Sequence, residues 1–126
     1  MTGREMLEKA MVLAGTVSPE GAVDRTREAD LIRQGSVFLN QIYADLFYGE
    51  RPGESFTPVG MGEDLTATLS RRAVYDVMPW GVAMLIAGAV GDGAAQGMLA
   101  AVYSQKREGI PKSPRRITDA LPTGEW

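Results

Sequence analysis

Apolar residues recur at helical spacing along most of the chain. Met6, Leu7, Ala10, Leu13 and Ala14 form a first stripe, with Glu5 and Lys9 paired one turn apart. Thr2 followed by Glu5 has the spacing of a capping box, and Gly15 is suited to stop a helix, so the pattern predicts a helix from about Gly3 to Ala14. Val17-Ser-Pro-Glu-Gly21 then reads as a turn. Asp24 is placed to cap a longer helix whose stripe is Leu31, Gly35, Phe38, Ile42 and Leu46, broadened by Ile32, Leu39 and Tyr43 and ending near Gly49. Arg33, Asn40, Gln41 and Asp45 lie off this stripe and read as a solvated face.

Fifteen consecutive residues, Val77 to Gly91, carry no charge and are fenced by Asp76 and Asp92. A membrane span needs about 20 apolar residues, so this block predicts the central helix of a small core. Ser70 is a sound N-cap for Arg71 to Val77, and Pro79 either kinks one long helix or opens a new one; a kink or short break at Met78 is expected. Gly81, Leu85, Gly88 and Asp92 share one face, and Trp80, Met84, Ala87 and Gly91 another, so neighbouring helices can approach closely. Asp92 can cap a last helix, Gly93 to about Arg107, with Ala95, Leu99, Val102, Met98 and Ala101 as its buried flank. The two helices then form a tight antiparallel hairpin.

Two segments break the helical pattern. Between Gly49 and Leu69 lie 21 residues in which Gly49, Pro52, Gly53, Pro58, Gly60 and Gly62 forbid a helix. Leu65-Thr-Ala-Thr-Leu69 alternates with period two and could pair with Ser55 to Val59 as a small β-arm leaning on the core or on a neighbouring subunit. From Glu108 on, Gly109, Pro111, Pro114 and Pro122 preclude continuous helix, although Thr118 to Leu121 could make one turn. Ile110, Ile117, Leu121 and Trp126 are apolar anchors along this extended tail. The fold expected is all-α: about four helices in a bundle over residues 1–108, a long loop with a possible short hairpin, and a docking tail over 109–126.

At 126 residues the chain forms one domain that buries roughly two thirds of its unfolded surface. There is no Cys and no His, which removes disulfides, thiol nucleophiles, imidazole bases and the common zinc sites. What survives is carboxylate, Lys, Ser/Thr or Tyr chemistry and oxygen-ligand cation sites, and none shows a recognisable spacing. Asp76 and Asp92 would stand about 24 Å apart along a helix, too far for a carboxylate pair. Glu63-Asp64 reads as a solvated turn, and Gly88-Ala-Val-Gly-Asp-Gly93 lacks the strand and the Lys-Ser/Thr pair of a phosphate loop. No catalysis, metal or cofactor is expected. The segment from Met1 to Glu8 has no apolar run, so no secretory signal and a cytosolic product are expected.

The net charge is −3, yet Lys106, Arg107, Lys112, Arg115 and Arg116 are opposed by Glu108 alone within positions 106–116. Such a tail could meet DNA phosphates, but the chain is acidic overall, and burial of the apolar anchors in a protein partner accounts for both features together. Arg71 and Arg72 oppose the dipole in the first turn of their helix, which suits an external partner or a merely solvated surface.

The arrangement resembles the head-to-tail connector proteins, also called adaptor or head-completion proteins, of tailed bacteriophages. The resembling residues are Phe38 to Leu46, Met78 to Ala87, Gly91-Asp92-Gly93 and Tyr103 to Arg107, within positions 25–107. Members similarly carry a long helix, a loop, a Pro-aromatic-Gly opening to an apolar helix, an acidic turn, and a last helix with Tyr and a basic residue. The Gly-rich loop and the Pro-rich basic tail depart from the pattern. The resemblance implies a virion protein, made in the host bacterial cytoplasm, of which about twelve copies form a ring through heterologous contacts. That ring joins the capsid portal to the next tail or stopper component, and DNA passes through its acidic lumen without sequence-specific binding. Ile110, Pro111, Arg115, Arg116, Ile117, Leu121 and Trp126 are then expected on the portal, and Arg51, Phe56, Val59, Met61, Leu65, Arg71 and Arg72 at subunit interfaces. No membrane contact is implied. The other reading is a small helical regulator that binds DNA or a partner through its basic tail.

Overall fold

The computed structural model describes residues 1–15 and 25–110, with the backbone alone described at 25–32. The chain is all-α: four helices, α1 (Gly3–Leu13), α2 (Arg25–Glu50), α3 (Met78–Ala89) and α4 (Gly93–Glu108), with no strand among the described residues. Helix α3 packs against each of the other three, and α4 covers it most extensively. Met78, Pro79, Val82, Ala83, Ile86 and Ala87 of α3 are buried, so the uncharged block occupies the centre of the core.

Local chemistry sets the helix ends. Thr2 Oγ1 accepts from the Glu5 amide at 3.2 Å and Glu5 Oε1 accepts from the Thr2 amide at 2.9 Å, the reciprocal capping box that starts α1. Gly15, at φ +76°, ends it where a side chain would be strained. The start of α3 was expected to kink or break at Met78. Instead Ala73–Val77 forms one π-helical turn that runs directly into α3, with the Met78 amide donating to the Ala73 carbonyl. Pro79 has no N–H for the Tyr75 carbonyl and its ring would crowd that oxygen in an ordinary α-turn, so the wider turn absorbs it. The Lys9 ammonium donates to the same carbonyl at 3.5 Å.

The connection between α3 and α4 is three residues, Val90 to Asp92, held by reciprocal bonding. Gly91, at φ +81°, and Asp92 donate their amides to the Gly88 and Ala87 carbonyls, while the Asp92 carboxylate accepts from the Ala95 amide at 3.0 Å. The two helices therefore return antiparallel and close. A Cβ on Gly81 would stand 2.7 Å from the Tyr103 ring and 2.9 Å from an Ile42 methyl, so three helices meet where residue 81 has no side chain. A Cβ on Gly35 would likewise meet the Leu7 methyls at 2.6 Å, where α1 sits on α2.

Some expectations shift by a residue. On α2 the buried line runs Gly35, Leu39, Ile42, Tyr43, Leu46 and Phe47, with Phe38 only half-buried at its edge. On α4 the buried residues are Leu99 and Tyr103, while Met98 is 63% exposed and Ala101 faces solvent. Tyr103, held on α3 and α2, sets the rotation of α4 and turns that flank outward. Leu31 and Ile32 have no described side chains, and the 17–21 turn and the Asp24 cap lie outside the described residues.

The β-arm does not form. Leu65–Ala67 is a 3₁₀ turn, capped by Asp64 through the Thr66 amide at 3.0 Å and hydroxyl at 2.7 Å. The backbone groups that a hairpin would pair are used elsewhere. Asn40 Oδ1 accepts from the Val59 amide at 2.7 Å, and Asn40 Nδ2 donates to the Val59 carbonyl at 3.1 Å. The first amides of α1, which have no partner inside the helix, take the loop's carbonyls: Arg4 to Met61 at 2.8 Å and Gly3 to Glu63 at 3.3 Å. The loop is thus tied to α1 and α2.

Gly81→Ala is expected to lower stability by about 1–3 kcal/mol in urea unfolding, because a stiff β-branched side chain and a tethered ring must both move. Gly88→Ala meets only the mobile amide end of Gln96. That substitution is expected to leave stability unchanged or to raise it by up to about 1 kcal/mol through helix propensity.

Candidate functional site

Three charged or polar links between helices give the molecule its distinctive surface chemistry. Asp45, expected on a solvated face of α2, accepts the Tyr103 hydroxyl at 2.6 Å and a two-pronged contact from Arg107, Nε at 2.6 Å and Nη2 at 2.9 Å. Burial first, and then the Asp45 carboxylate, push the Tyr103 phenol well above its ordinary range. The second link is Asp76 with Lys106 at 2.8 Å, and Lys106 holds the Asp76 carboxyl below its usual range. In the third, Glu50 accepts from the Ser70 amide and hydroxyl at 2.9 and 2.6 Å, while Ser70 Oγ accepts from the Ala73 amide at 3.1 Å. That carboxylate secures the helix start at the far end of the loop.

The residues expected at subunit interfaces fall into three settings. Leu65 is fully buried in the chain's own core, so it has no surface to give a neighbour. This corrects the expectation: the 3₁₀ turn at Leu65–Ala67 carries its side chain into the core. Phe56, Val59 and Met61 are half-buried against the core. Phe56 stacks within an aromatic group at 5.8 Å from Tyr43, 5.8 Å from Phe47 and 5.9 Å from Tyr48. Beside it the Tyr43 hydroxyl bonds Thr68. Arg51 spends Nε on the Thr68 carbonyl at 2.7 Å and Nη1 on Glu54 at 3.2 Å, so it staples the loop. Arg71 and Arg72 are exposed.

Of the tail, Ile110 is half-buried against the core. Pro111, Arg115, Arg116, Ile117, Leu121 and Trp126, and the 118–121 turn, lie outside the described residues. Among the described residues no three acidic side chains are brought together to hold a metal ion, and no helix is long and apolar enough to cross a membrane. Asn40 and Asp45 are the residues that sequence reasoning passed over. Both sit one step off the apolar stripe, and only their distant partners Val59, Tyr103 and Arg107 reveal their roles.

Comparison with protein-family models, with characterised proteins and with solved structures finds no match to this chain.

The Tyr103 shift carries a pH dependence. Because the folded phenol is raised above its unfolded value near 10, its contribution is intact below that pH and is lost as pH rises beyond it. In urea unfolding, stability is expected to fall above pH 10 by about 1.4 kcal/mol per unit from this one group, and Tyr103→Phe is expected to remove that slope.

Proposed function

We propose that the chain is a non-enzymatic structural protein of a phage virion, an adaptor that forms a homo-oligomeric ring between the capsid portal and the tail and extends the DNA channel. One observation supports this reading above the others. The segments that carry the resemblance to connector proteins are separate in sequence, yet they meet at one point: Ile42 and Asp45 from the first, Gly81 from the second, Tyr103 and Arg107 from the last. Such a junction fixes how three helices pack, so matching residues at each of its corners are worth more than matching stripes. Arrangement of the rest is compatible. Once packing consumes α3 and the inner faces of α1, α2 and α4, contacts with neighbours fall to the outer surface of the bundle, the loop and the tail after Ile110.

Mixing the purified chain with the portal assembly encoded in the same genome, and imaging by negative-stain electron microscopy, tests the reading. A ring of extra density under the portal is expected, and deletion of residues 109–126 is expected to abolish it while leaving the helical circular dichroism of the bundle. A full chain that never attaches contradicts the connector reading. A truncated chain that attaches fully contradicts docking through the tail. Salt-sensitive binding of duplex DNA, lost on replacing Arg115 and Arg116 by Ala, would instead favour a regulator.

A further inference from the structure

Four cations share one face of the folded body. The Arg71 guanidinium lies 5.2 Å from the centroid of the Tyr75 ring, and Lys106 Nζ lies 5.8 Å from that of Trp80. Lys9 reaches the Tyr75 carbonyl, and Arg72 covers the end of α4, with a Cβ on Gly109 standing only 2.9 Å from its Nη2. Tyr75 is 40% exposed and Trp80 half-buried, so the rings are part of the surface.

The charge on this face is not internally balanced. Arg4, Arg51 and Arg107 each sit on a carboxylate, whereas Arg71, Arg72 and Lys9 make no ion pair among the described residues. Asp76 is the carboxylate in their midst, and it is already bonded to Lys106. Glu50, next along the surface, is committed to Ser70. In the first turn of their own helix both arginines oppose the dipole, although Arg71 gains the face of the Tyr75 ring and Arg72 the carboxyl end of α4. Beyond Ile110, where the described chain leaves this face, the sequence continues with Lys112, Arg115 and Arg116.

We infer that Lys9, Arg71, Arg72 and Lys106, with the rings of Tyr75 and Trp80, form a docking surface for an acidic protein segment. Cations stacked on these surface rings offer a partner carboxylate a charge and an apolar floor together. A continuous run of phosphates fits less well, because Asp76 stands among these cations, bonded to Lys106, and the rings put apolar ground between the charges. The inference deepens the connector reading, on which it rests only for the identity of the partner. Arg71 and Arg72 then belong to the portal contact and not to the contact between copies.

The test needs no portal, so its outcome is separate from that of the ring experiment. A fluorescent peptide of about 20 residues, rich in Glu, and a duplex DNA of about 20 base pairs are titrated with the full chain at low and at physiological salt, reading anisotropy. The peptide is expected to bind in a salt-sensitive way, to lose about tenfold or more in affinity with Arg71→Glu/Arg72→Glu, and to keep its affinity with Arg71→Lys/Arg72→Lys. Both arginines are exposed, and the helical circular dichroism and urea midpoint of each variant are read alongside, so that loss of binding is scored only in folded protein. Absence of peptide binding, or equal binding by the charge-reversed variant, overturns the inference. Tighter binding of the duplex than of the peptide, lost in that variant, overturns the choice of partner and makes the face a nucleic-acid surface.

Discussion

The ring of Tyr103 occupies the space that a side chain at position 81 would fill, and its hydroxyl is bonded to Asp45. Most of the structure depends on that contact. It sets the depth at which α4 lies on α3, brings Ile42 of α2 onto the same spot, and fixes the rotation that buries Leu99 and exposes Met98. A hydrogen bond to a charged acceptor contributes about 1.5–3 kcal/mol, more than the adjoining half-exposed Arg107 contact, for which about 0–1 kcal/mol is typical. The phenol is therefore the element that discriminates this packing from a slipped one.

A second constraint comes from Pro79. Its missing amide and bulky ring forbid an ordinary turn, and the π-helical turn at Ala73–Val77 keeps the axis continuous while shifting Arg71, Arg72 and Tyr75 around it. The displaced Tyr75 carbonyl meets Lys9 of α1. The basic face thus originates in the backbone chemistry of a residue that carries no charge, and the surface proposed for docking is a consequence of how the core helix starts.

What the sequence made legible was local. Thr2 with Glu5, Gly15, Ser70, Asp92 and the uncharged block all act within a turn of their own position, and the structure places them as their chemistry requires. What was hidden was long-range. Nothing near Asn40 announces that Val59, nineteen residues on, will use it in place of a strand partner. Asp45 and Tyr103 stand 58 positions apart. The β-arm failed for the same reason: alternation at Leu65 to Leu69 was read correctly as a pattern, but free amides at the start of α1 and the Asn40 carboxamide compete for the loop's backbone. Of the candidate interface, the loop residues and the arginine pair are placed by the structure, whereas the tail beyond Ile110 was legible only as composition.

The central claim is that one hydrogen bond, at the point where three helices meet, specifies the bundle. A double-mutant cycle of Asp45→Ala and Tyr103→Phe, followed by urea unfolding at neutral pH, tests it most directly. The account requires a coupling of about 1 kcal/mol or more between the two positions, with the double variant barely less stable than Tyr103→Phe alone. Additive effects, with a coupling within about 0.3 kcal/mol of zero, would contradict it.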